Sequence, residues 1–93
     1  MNVRELSINA PRAAATTVSV SATSAASADL PAGDYAFICS QDCNIVFGAG
    51  SPVATTSHWF VPAKTPFRIA GVQEGEKVAV IASATGTAWL MAI

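Results

Sequence analysis

The chain has 93 residues, 12% of them charged, and a formal net charge of −1. Those figures exclude a multidomain enzyme, a highly charged disordered tail and a basic nucleic-acid binder. Hydrophobic content reaches 52%, but 19 residues are alanine, so large apolar side chains make up under a third of the sequence. A domain of this size buries only about 60–65% of its unfolded surface. A self-sufficient catalytic cleft is therefore not expected, and association with further subunits would support the fold.

Residues 1–15 carry no apolar run of the roughly 7–15 residues that a secretory signal needs. They read as an extended N-terminal arm of a soluble chain made in the cytoplasm. Nowhere does the sequence approach the roughly 18 apolar residues of a membrane helix. Over 16–22, Val18 and Val20 alternate with Thr17, Ser19 and Ser21, the period-2 pattern of an edge strand. Residues 23–33 read as a connection ending in a turn at Pro31–Gly33. Short β-runs follow at 34–40, 43–48, 57–62, 66–70, 76–82 and 87–92, most of them separated by glycine or proline. Runs so spaced, with no long helical segment, predict an all-β fold. The expected form is a small antiparallel β-sandwich or barrel of six or seven strands over 16–93.

If Ser40, Gln41 and Asp42 form a three-residue loop, 34–40 and 43–48 make a hairpin. Cys39 then faces Cys43, Phe37 faces Ile45 and Tyr35 faces Phe47, all on one side of the ribbon. Trp89 and Met91 share a face of the last strand, as Val78 and Val80 do on the strand before. These two strands are expected to complete the core.

Few residues offer chemistry. Two cysteines and one distant histidine fall short of the four ligands of a structural zinc site. Cys39 and Cys43 could form a cross-strand disulfide on geometric grounds, but a cytoplasmic origin favours buried free thiols. Ser57, His58 and Asp42 do not make a catalytic triad, because neighbouring strand residues point to opposite faces. Glu74 and Glu76 flank Gly75 in a turn, where solvated carboxylates are commonplace. The Gly48-Ala49-Gly50 run lacks the lysine and helix of a phosphate loop. Arg4, Arg12, Lys64, Arg68 and Lys77 are scattered, which argues against nucleic-acid binding. No catalytic residue, metal or cofactor is expected. Trp59, Phe60 and Trp89 remain, as core residues or as anchors for a sugar or protein partner. Since Trp59 and Phe60 point opposite ways, at least one should lie near the surface or an interface.

Taken in order, LPAGDY at 30–35, DCNIVFG at 42–48, PVAT at 52–55, VPAKTP at 61–66, GEKVAVI at 75–81 and Gly86-Thr87 resemble a family of small tailed-bacteriophage proteins encoded among head-morphogenesis genes. The similarity spans roughly 16–93. It implies a non-enzymatic virion structural protein, a capsid decoration or cement protein that binds the head surface as a homo-oligomer. Its partners would be copies of itself and the major capsid or another virion protein, with no nucleic acid or membrane involved. The chain would be made in the host cytoplasm and reside in the virion. Two departures from the family pattern are Cys39 beside Cys43 and the apolar ending Ala88-Trp89-Leu90-Met91, which raises the odds of a buried last strand or a subunit contact. Interface positions expected on this reading are Val18, Val20, Trp59, Phe60 and Trp89, with the arm and strand 16–22 adding to a neighbour's sheet. The alternative is a small carbohydrate- or receptor-binding β-domain of a head fibre or tail tip, using an exposed tryptophan as a stacking platform.

Overall fold

A computed structural model describes residues 15–93, so the expected arm lies outside the described residues except for Ala15. Eight strands are present: β1 (Thr16–Val20), β2 (Ala25–Ala26), β3 (Gly33–Cys39), β4 (Cys43–Ala49), β5 (Trp59–Val61), β6 (Phe67–Val72), β7 (Glu76–Ala82) and β8 (Gly86–Ala92). They form two four-stranded antiparallel sheets, in the orders β1-β8-β3-β6 and β2-β7-β4-β5. The all-β expectation therefore holds, with eight strands rather than six or seven. The additional one, β2, falls in the stretch expected to be a connection.

The pairing is nested. β1 pairs β8, β2 pairs β7, β3 pairs β6 and β4 pairs β5. It is as if one long antiparallel ribbon had been rolled up, and the β8–β3 and β7–β4 contacts close the roll. This is the jelly-roll arrangement of a β-sandwich. Alternation along each strand supplies the core. Val18, Val20, Tyr35, Phe37, Ala88 and Leu90 point inward from the first sheet, and Cys43, Ile45, Val61, Val78, Val80 and Ala82 from the second.

The hairpin expected between 34–40 and 43–48 does not form, because β3 and β4 belong to different sheets. Ser40–Asp42 is a corner that carries the chain from one sheet to the other. Tyr35, Phe37, Cys39, Cys43 and Ile45 still share one interior, from opposite walls. Period-2 alternation fixes which face a residue takes, not which strand lies beside it. The corner is held from outside: the Ser40 hydroxyl accepts the Thr87 N–H at 3.0 Å, and the Cys39 carbonyl accepts the Lys64 N–H at 2.7 Å. A Cβ at Gly86 would run into the Ser40 and Gln41 side chains, so glycine is needed where β8 passes this corner.

The last strand, β8, does complete the core, through one of its two faces. Ala88 and Leu90 face the core, while Trp89 and Met91 lie on the outer face. Both faces of this strand are apolar, so the sequence pattern alone does not choose between them. Val78 and Val80 are fully buried as expected.

Polar groups fasten the periphery. Between the pairs Gly33–Val72 and Tyr35–Ile69, Asp34 stands opposite the two residues Ala70 and Gly71. This is a bulge, made possible by the left-handed φ of +80° at Gly71. The Asp34 carboxylate accepts from the Arg68 guanidinium at 2.8 Å and from the Gly71 N–H at 3.2 Å. Arg68 first, and then Gly71, hold that carboxyl below its ordinary pKa. The Tyr35 hydroxyl donates to the Pro31 carbonyl at 2.6 Å, which anchors the entry to β3.

Candidate binding faces of the sandwich

The His58 ring nitrogen Nδ1 accepts the Thr55 N–H at 2.9 Å, and the His58 N–H closes the same turn onto the Thr55 carbonyl at 3.1 Å. That imidazole shapes the entry to β5. Glu74 accepts the Ala32 N–H at 3.1 Å and Glu76 the Gln73 N–H at 2.7 Å, so both carboxylates fasten turns. No cluster of three metal-ligating side chains occurs among the described residues, and no helix there is long and apolar enough to cross a membrane.

Cys39 and Cys43 are both buried free thiols, one at each end of the inter-sheet corner. Burial, then the neighbouring Cys39 thiol and finally Asp42, push the Cys43 pKa up to about 12. The folded state therefore holds this proton more tightly than the unfolded chain does. The resulting stability is fully present below the unfolded thiol value near 9 and is lost as pH rises toward 12. Denaturation titrations across that window should show a falling stability that flattens in Cys43→Ala. Iodoacetamide at pH 8 should label Cys43 only upon unfolding. Rapid labelling of the native protein would contradict this arrangement.

The expected interface residues are dispersed. Val18 and Val20 are buried in the chain's own core. What β1 leaves open is its backbone edge, since it pairs only with β8 among the described residues. Trp89 is 38% exposed on the outer face of the first sheet. There it lies across from Ile38, and the next outward pair is Ala36 with Met91. Together with Ala15 and Pro66 they line a shallow apolar groove of about 260 Å³. The groove starts where the chain enters the edge strand.

Trp59 and Phe60 sit on β5, the three-residue edge of the second sheet. Both are exposed, by 68% and 52%. Trp59 pairs with inward-facing Ile45, yet it lies at the rim rather than in the core. Phe60 pairs with Asn44, which in turn pairs with Ile81, giving a row Phe60–Asn44–Ile81 on the outer face. This row floors an open cleft of about 410 Å³, walled by Asp42, Thr56, Ala82 and Ser83. Sequence reasoning singled out Phe60 but missed Asp42, Asn44 and Ser83 as its companions. Only the order β7-β4-β5 brings them together, and the expected hairpin placed β4 beside β3 instead. The one available signal was Asn44 itself, a polar residue on the outward phase of an otherwise apolar strand.

Comparison with protein-family models, with characterised proteins and with solved structures found no match. The faces of the sandwich therefore carry the functional argument.

Proposed function

We propose that this chain is a non-enzymatic structural protein of a tailed-phage virion, a decoration protein that docks on the head surface as an oligomer. The observation that carries this reading is the apolar groove of Trp89, Ile38, Met91 and Ala36, on a sheet whose edge strand β1 pairs only with β8 among the described residues. Contiguous apolar surface rimmed by polar residues marks contact surfaces, and an open strand edge is a template for pairing with another chain. Jelly rolls are also a recurrent architecture of viral capsid domains. That is a fold-level analogy, and it agrees with the resemblance of 16–93 to small phage head proteins. Many copies on a symmetric shell would hold firmly through individually modest contacts.

Sedimentation equilibrium of the full chain tests the contact. The wild type should self-associate, and Trp89→Glu should shift it toward monomer by about fivefold to thirtyfold in dissociation constant, since a partly buried aromatic anchor is worth about 1–2 kcal/mol. At dilutions where both proteins are monomeric the thermal midpoint should be nearly unchanged, because Trp89 is outside the core. A wild type that stays monomeric, or a Trp89→Glu variant that assembles as before, would overturn the proposal.

A further inference from the structure

We propose that the cleft on the outer face of the second sheet is a binding site for a neutral saccharide. The site is independent of the groove on the first sheet, so either proposal can stand without the other.

The cleft has the make-up of a ligand site: an apolar floor with a few converging polar groups, in a volume of about 410 Å³. Phe60 supplies a half-exposed ring face on which the C–H face of a pyranose can stack. Ile81 continues the floor on the other side of Asn44. The polar groups are already oriented. The Asn44 amide nitrogen donates to the His58 carbonyl at 2.9 Å and reaches the Thr56 carbonyl at 3.5 Å. Its two N–H groups are thereby occupied, and Oδ1 remains as a fixed acceptor. Asp42 accepts the Ala63 N–H at 2.7 Å through Oδ1, which leaves Oδ2 to accept from a ligand hydroxyl. Thr56 and Ser83 add hydroxyls that can donate or accept. An array dominated by acceptors matches a ligand rich in O–H donors.

Charge narrows the class. Neither lysine nor arginine lines the cleft, and its single ionisable group is the carboxylate of Asp42. Phosphorylated, sulfated or carboxylated sugars are therefore disfavoured against neutral hexoses and N-acetylhexosamines. With one carboxylate in place of the pair that glycoside hydrolysis requires, the cleft binds its ligand and does not cleave it. So open a site should have a dissociation constant of about 1 mM for one sugar unit.

The test is an amide-shift titration of the isotope-labelled full chain with glucose, galactose, N-acetylglucosamine, N-acetylgalactosamine and lactose, with glucose 6-phosphate as the charged control. At least one neutral sugar should give saturable shifts at Asn44, Phe60, Ile81 and Ser83, leaving Trp89 unmoved. Phe60→Ala should weaken binding by about tenfold, the loss of one stacking contact of about 1.4 kcal/mol. Asp42→Asn keeps the bond to Ala63 but removes the charge, and should weaken it by about threefold to tenfold. Trp89→Glu should bind as the wild type does. Absence of saturable shifts for every neutral sugar, shifts confined to the Trp89 face, tighter binding of glucose 6-phosphate, or insensitivity to Phe60→Ala would each overturn the proposal.

Discussion

Phe37→Ala should cost about 3–5 kcal/mol of folding stability, the usual range for deleting a buried phenylalanine. Phe37 is 1% exposed and among the largest fully buried side chains. It lies on β3, which is paired on both sides, so Leu90 and Phe67 are its cross-strand neighbours. The surrounding ladders limit collapse into the space it would leave. Large apolar residues are scarce in this chain, and domains have only about 5–15 kcal/mol to lose. Thermal unfolding should fall by about 12 °C or more, since 1 kcal/mol moves the midpoint of a domain this size by about 4–8 °C. A change below about 1 kcal/mol would mean that the interior is not packed around this ring.

The next largest effect is expected at a small polar residue. Among the described residues, Ser27 is the buried polar side chain of the interior. Its backbone N–H donates to the Val78 carbonyl at 2.9 Å. Its hydroxyl accepts the Val78 N–H at 3.1 Å and donates to the Ala28 carbonyl at 2.8 Å. The side chain thus stands in for a backbone carbonyl and lengthens the two-residue ladder of β2 on β7 by one rung. Ser27→Ala orphans a buried N–H at fully buried Val78 and should cost about 1–3 kcal/mol. Ser27→Thr keeps the hydroxyl and should restore most of it. The local signature is faster hydrogen exchange of the Val78 amide in Ser27→Ala, without a matching change at Val46. If that amide exchanges at the wild-type rate, the side chain is not the acceptor.

These two residues mark how far the fold could be read from the sequence. Phe37 sits on a strand with clean alternation, and its inward orientation follows from the pattern alone. Seven of the strands were legible in this way, with ends within two residues of those observed. β2 was not, because Ala25 and Ala26 lie among serines and alanines of no decisive propensity. What holds them is the hydroxyl of Ser27 and the partner strand β7, a tertiary cause. The β3–β4 link misled for a related reason: three residues between two alternating runs suit a tight hairpin loop and an inter-sheet corner equally well. The docking of Gly86 and Lys64 around that corner decides the matter.

Function was legible to the extent that single side chains reveal it. Trp59, Phe60 and Trp89 stood out, and all three are exposed. The company each one keeps depends on strand order. Phe60 gains its polar neighbours only through β4, and Trp89 joins Ile38 only because β8 runs between β1 and β3.

Nesting also leads us to expect an order of assembly. Closing a loop costs more entropy the farther apart its ends are in the chain, and topologies rich in remote pairings fold slowly. Within this ribbon β4 and β5 lie closest in sequence, while Thr16 meets Leu90 across nearly the whole described length. The turn-proximal rungs are expected to zip first and the terminal pair last. Since Ala15 and Trp89 border the same hollow, that hollow takes shape only once this last and most remote pairing has closed.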